Sequence, residues 1–271
     1  MGQSYDETDL GDEFDLEHPN AARMYDYWLG GAANLAIDRE LADRMIAIDP
    51  AVVDIARANR SFLRRAVRFC VASGIRQFLD LGSGIPTVGN VHEVAQHADP
   101  TCRVAYVDSE GIAVAHSRRL LRNNPLATVT QADLRATQSV LTAPTVTDLL
   151  DFSQPVAVLA LMVLQYFPDQ PDHPRDILAR YRARLARGSY LVISHLTGEE
   201  HQIDMTGLVR ATANASTHAN LRSRKEITEL LGDAEPVEPG VVGVQQWRPD
   251  DPFEHHAGAY AGTYVAVAKV P

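Results

Sequence analysis

The spacing of apolar positions changes along the chain. From Pro50 to about Ser73, Val52, Ile55, Ala56, Phe62, Leu63, Ala66, Val67 and Cys70 recur at helical spacing. This predicts one long helix, ended by Gly74 and interrupted on its apolar stripe by Asn59. Upstream, HPNAARMYDYWLGGAANLAIDRELADRMIAIDP reads as two shorter helices, the first broken at Gly30-Gly31 and the second before Pro50. Downstream the period shortens. RQFLDLG, RVAYVDS, LATVTQAD, PVAVLALMVL and GSYLVISHL are β-rich runs that alternate with helical stretches.

Such alternation predicts parallel strands covered by helices and joined by right-handed crossovers, with ligands at the carboxyl ends of the strands. The ending breaks the rhythm. VVGVQQW (241–247) and GTYVAVAKV (262–270) have no helix between them and are expected to pair antiparallel. The expected organisation is an acidic tail over 1–17, a helical cap or lid over 18–74, and an α/β domain over 75–271. That domain carries a helical insert at about 199–232, within which Ser223 and Glu226 form a capping box.

Charge narrows the partners. The net charge is −10, but residues 1–17 hold seven acids and no Lys or Arg, so the acidity is mostly a tail. No basic block is present to neutralise a phosphate backbone, so nucleic acid is not expected as a partner, and a small molecule is. The longest apolar run, near residues 155–164, is too short to span a bilayer, and the first residues lack the pattern of a secretory signal. Cys70 and Cys102 stand alone, as in a reducing compartment, and the chain reads as cytoplasmic. His92-Glu93 and His255-His256 lack the spacing of a helical zinc site, so no metal is expected. The oligomeric state is not legible.

The chemistry gathers at strand ends. In FLDLGSGIPT, Gly82 and Gly84, flanking Ser83, allow a tight turn and close approach to a ligand. YVDS places Asp108, followed by Ser109, where a carboxylate can accept from both ribose hydroxyls. QADL places Asp133 where it can accept from an adenine amino group, with Leu134 beside it. Such a loop suits NAD or an adenosyl sulfonium. Asp80, directly before the glycines, suits an amino-acid ammonium better than a pyrophosphate.

LDLGSG, YVDS, QADL, the strand order and the terminal hairpin resemble the class I S-adenosylmethionine-dependent methyltransferases, over roughly residues 75–271. HPNAARMYDYWLGGAAN, ARANRSFLRRAV, GIRQFLDLGSGIPTVGNVHEVAQ and GSYLVISHLTG are similar, more narrowly, to an actinobacterial S-adenosyl methyltransferase family formerly known as a domain of unknown function. The resemblance implies a Rossmann-like, mostly parallel seven-stranded sheet with a C-terminal antiparallel hairpin. It implies S-adenosyl-L-methionine as cofactor and S-adenosyl-L-homocysteine as product. It also places Asp80 and the glycine loop by the methionine portion, Asp108 by ribose, and Asp133 with Leu134 by adenine.

Two positions depart from the patterns. Pro86 replaces the third glycine of the general class, although Ile-Pro-Thr is usual in the narrower family, and it is able to start the next helix. Gln165 stands where that family often has a histidine, which puts a base at 165 in doubt.

Further candidates follow from position. Arg23, Tyr25, Tyr27 and Trp28 can fold over the cofactor as a lid hinged at the paired glycines, or pack as an amphipathic helix. Asn59 and Arg60 can satisfy the cofactor carboxylate and a second polar group, whereas Arg57, Arg64 and Arg68 read as a solvated stripe. Gln165, Tyr166 and His195 follow strand ends on the acceptor side. The expected activity is methyl transfer to a small or medium-sized organic acceptor. The alternatives are a noncatalytic regulator binding the same cofactor and an NAD-dependent oxidoreductase.

Overall fold

The computed structural model describes residues 15–86, 89–199, 203–212, 218–250 and 262–271. Most of the acidic tail, part of the insert and His255-His256 lie outside the described residues. Three helices come first: α1 (Ala21–Trp28), α2 (Ala36–Ile48) and α3 (Ala51–Ala72). Asn20 caps α1 by accepting from the backbone N–H groups of Ala22 and Arg23. Gly74, at φ 94°, follows α3 as the sequence predicts.

The alternating part follows as β1 (Gln77–Leu81), α4 (Val91–Ala98), β2 (Arg103–Asp108), α5 (Gly111–Leu121) and β3 (Ala127–Gln131). It continues through α6 (Thr137–Leu141), α7 (Pro144–Thr147), β4 (Ala157–Leu161), α8 (Pro174–Arg182) and β5 (Tyr190–Leu196). Helices α9 (Met205–Ala211) and α10 (Arg224–Leu230) precede β6 (Glu235–Pro236), β7 (Val242–Gly243) and β8 (Thr263–Lys269). The sheet order is β3-β2-β1-β4-β5-β8-β6, with β7 also on β8. The first five strands are parallel and β8 runs antiparallel to β5, a Rossmann-like class I methyltransferase architecture.

Side chains alternate across this sheet. Phe78, Val104, Val192 and Val267 pack on the face under α3, with Phe62 and Trp247. Leu79, Val107, Ile193 and Ala266 pack on the other face with Ile177 and Tyr181. Each Val, Leu, Ile or Phe among them, fully buried, contributes about 1.5–3 kcal/mol.

Three differences from the sequence reading have local causes. The sheet has eight strands rather than seven, because the position beside β8 is shared by the two-residue β6 and β7. The expected strand at 241–247 is short because Arg65 of α3 donates to the carbonyls of Val244 (2.7 Å) and Trp247 (2.9 Å), replacing ladder partners. Pro86 does not start a helix: α4 begins at Val91, where Glu93 accepts from the backbone N–H groups of Gly89 and Asn90.

Candidate functional site

A cavity of ≈ 520 Å³ opens at the carboxyl ends of β1–β4. Period-two alternation puts Asp80 on the α3 side of β1, beside Arg60, and it is buried. Burial pushes its pKa up to about 7; the Arg60 guanidinium opposes this and Asp108 adds to it. Arg60 lies over the Tyr25 ring, 5.7 Å from its centroid, and its Nε is buried without a partner. Ser83 Oγ is likewise unpartnered.

The glycine loop is shaped by the protein itself. Gly82 sits at φ 68°, and a Cβ there would lie 2.4 Å from Val163 Cγ2, so both backbone and neighbour require glycine. Gly84, at φ 65°, donates its N–H to Asp108 Oδ2 at 2.7 Å, while Asp108 Oδ1 accepts from Glu110 at 2.8 Å. One carboxylate thus ties the β1 and β2 loops together, and its buried pKa is raised in spite of those donors.

Asp108, Ser109, Asp133 and Leu134 all line the cavity. The Asp133 carboxylate is already forked by Arg135, with Nε at 2.8 Å, which holds its pKa below the usual carboxylate range. Arg135 also reaches Asp172 and lies over the Phe167 ring. Arg135 was not expected at the site; the signal for it is its place two residues after the aspartate in ADLR.

The cap residues divide. Arg23 does not line the cavity: its Nε donates to Asp38 at 2.7 Å and both side chains are buried. The same guanidinium reaches Glu110 at 3.4 Å, and Asn20 donates to Glu110 at 3.1 Å, fastening α1 to the loop after Asp108. Tyr27 also stays outside, donating to Asp43. Tyr25 lines the cavity and donates to the Ala56 carbonyl. At the paired glycines, Gly31 packs so closely that a Cβ would overlap the Asp26 carboxylate.

Asn59 lines the cavity, but both ends of its amide are used. Nδ2 donates to Tyr25 Oη at 3.0 Å, and Oδ1 accepts from Ser194 Oγ at 2.7 Å. Ser194 Oγ in turn accepts from the Met162 N–H at 2.9 Å. Met162, with φ 54°, therefore ends β4 in a left-handed conformation unusual for its residue type. This is why PVAVLALMVL stops being a strand at Leu161.

Of the three acceptor-side candidates only Tyr166 lines the cavity. Gln165 is fully buried and its Nε2 donates to the Met162 carbonyl at 2.6 Å, so it braces that turn. His195 is fully buried between the Leu196 carbonyl (2.7 Å) and Arg222 (2.9 Å). Arginine only donates, so Nε2 accepts and Nδ1 carries the proton. Burial pushes its pKa down to about 4. Arg222 also donates to the Phe167 carbonyl and Asp169, and Asn220 donates to the Gln165 carbonyl, clamping the 164–169 segment. Val163, His218 and Asn220 line the cavity without having been expected from the sequence, because they follow irregular backbone that no period marks.

The model of an S-adenosyl methyltransferase family matches residues 7–271. The crystal structure of a candidate methyltransferase from Thermobifida fusca YX is 38% identical, with a TM-score of 0.89, over 94% of this chain and 96% of that one. A DUF574 family protein from Streptomyces avermitilis MA-4680 is 36% identical, with a TM-score of 0.90, over 95% and 99%. The N-methyltransferase NodS from Bradyrhizobium japonicum WM9, in complex with S-adenosyl-L-homocysteine, shares the fold at 14% identity and a TM-score of 0.51, over 92% and 99%. No curated protein matches the sequence.

Proposed function

Since the chain belongs to the S-adenosyl methyltransferase family, we propose that it transfers a methyl group from S-adenosyl-L-methionine to a small or medium-sized organic acceptor. The observation that carries this reading is the charge of the cavity. Asp80, Asp108, Glu110 and Asp133 line it against Arg60 and Arg135, and Arg135 is committed to Asp133. A pyrophosphate would meet like charge there, whereas a ligand with a sulfonium and an ammonium meets carboxylates.

The residues present suit that cofactor. Asp80 offers a buried carboxylate to the ammonium, and the guanidinium of Arg60, with its unpartnered Nε, offers charge to the carboxylate. Beyond its backbone donors Gly84, Ser109 and Glu110, Asp108 keeps a lone pair for ribose. Leu134, Ala132 and Phe167 supply apolar surface for adenine.

When bound, the cofactor supplies an electrophilic methyl carbon: the acceptor's lone pair forms the new bond as the carbon–sulfur pair returns to sulfur. The protein's part is to hold the acceptor in line and dry. An acceptor proton leaves to water or to His218, the cavity-lining histidine among the described residues. Neutral, buried His195 keeps to its structural partners.

Calorimetry with S-adenosylmethionine, S-adenosylhomocysteine and NAD tests the assignment. The two sulfur ligands are expected to bind and NAD to bind far more weakly; preferential NAD binding sinks the proposal. Transfer of labelled methyl to a component of a cell extract is the expected catalytic result. Tight cofactor binding with no transfer to any acceptor would instead mark a regulator.

A further inference from the structure

Behind the cofactor cavity lies a second, smaller chamber of ≈ 70 Å³, between the cap and the insert. Its walls include Met24 and Trp28 of α1, Met45 of α2, Ile55 of α3, and Met205 and Leu208 of α9. It shares Ala21, Tyr25, Met162 and Tyr166 with the larger cavity, so these four residues form the boundary between the two spaces. We infer that this chamber is the acceptor subsite and that it takes an uncharged acceptor carrying a compact apolar group. The inference rests on the methyltransferase reading above.

Three observations support it. Protein interiors pack with few voids larger than a water, so an apolar chamber that shares a wall with a ligand cavity is not ordinary core. Its boundary is held at some conformational cost: Met162 is kept left-handed by Ser194 at its N–H and by Gln165 at its carbonyl. The chamber also has no charged side chain in its lining to pair with a charge. Tyr25 Oη and Thr212 Oγ already donate to the carbonyls of Ala56 and Val209, and the other walls are almost wholly apolar. Taking an ion there would cost several kcal/mol of unreplaced hydration.

Size and polarity define the class. An engineered apolar cavity of about 150 Å³ holds a benzene, so this chamber takes a branched alkyl group or the edge of one ring. The Trp28 indole N–H is buried without a partner, so a single neutral acceptor atom is the polar feature this wall accommodates. The rest of the acceptor, with its nucleophilic atom, then lies at the boundary by Tyr25, Met162 and Tyr166.

The test uses the whole protein saturated with S-adenosylhomocysteine and labelled with ¹⁵N-tryptophan, whose two indole signals are assigned with Trp28→Phe. Isobutanol is expected to shift the Trp28 signal saturably, and isobutyrate, with the same carbon skeleton and a charge, to bind at least about tenfold more weakly. Ala219→Leu, which adds volume at the chamber wall, is expected to weaken isobutanol about tenfold while calorimetry finds S-adenosylhomocysteine affinity unchanged. Should Ala219→Leu not fold, Val52→Ile gives a smaller loss in the same direction.

No saturable shift, equal binding of isobutyrate, or indifference to these fillings overturns the subsite. Isobutanol binding in a protein that binds no S-adenosyl ligand overturns its role in methyl transfer. Failure of the cofactor reading and failure of the chamber are thereby told apart.

Discussion

The two sides of the cavity solve opposite problems. Along β1–β3, Asp80, Asp108 and Asp133 stand at strand ends; backbone N–H groups fix Asp108, Arg135 fixes Asp133, and Asp80 lies buried beside Arg60, so the polar floor is assembled before any ligand arrives. Along β4 and β5, Met162 and Tyr166 form a wall, and Gln165 and His195, buried behind it, bond to other parts of the protein. The floor can discriminate by charge and the wall by shape. Changes in the wall can therefore alter the shape of the cavity and leave the charge of the floor as it is.

The largest effect expected on the floor is that of Asp108→Ala. It removes the joint between the β1 and β2 loops together with the carboxylate proposed to accept from ribose, and calorimetry should find S-adenosylmethionine affinity reduced about 100-fold or more. Unchanged affinity in a folded variant would overturn the assignment.

A cap that is welded to the floor predicts a stability effect next. Arg23→Met leaves the buried Asp38 without a counter-charge, held only by the N–H groups of Asn20 and Leu35, and denaturant unfolding should show a loss of about 3–5 kcal/mol. A loss below 1 kcal/mol would mean the pair is not held in solution as it is here.

The pH dependence separates the sides further. Asp80 has a folded pKa of about 7, raised by burial, so the apo protein should lose stability as pH rises from the unfolded carboxylate value through 7. An ammonium ligand prefers the ionised form, so cofactor affinity should rise over the same window, by about tenfold per unit below pH 7. Asp80→Asn should flatten that profile, and a profile unchanged in the variant would assign the titration elsewhere.

His195 behaves in the reverse sense. Its folded pKa is pushed down to about 4, so it contributes stability above its unfolded value that is lost as pH falls toward 4. His195→Asn should leave cofactor affinity and its pH profile nearly unchanged, the smallest effect of the series. A strong loss of binding would make the wall part of the cofactor site.

Sequence legibility follows the same division. Strands β1–β5, helix α3 and the strand-end aspartates were readable because period two, helical spacing and turn glycines are local signals. The wall was not. Nothing local marks Met162 as left-handed, since Ser194 and Gln165 impose it through backbone bonds from distant or irregular segments. Arg23 and Asn59 were singled out as polar residues on helices, yet only their partners Asp38, Tyr25 and Ser194 reveal that they bond inward. The short β7 likewise depends on Arg65, well over a hundred residues away.

The bonds from Asn20 and Arg23 to Glu110 bear on how the chain comes to be folded. Asn20 waits for a partner 90 positions later in the sequence. Synthesis is vectorial, so α1 meets Asp38 and the apolar faces of α2 and α3 early, whereas its bonds to Glu110 wait until the β2 loop has been made and closed against it.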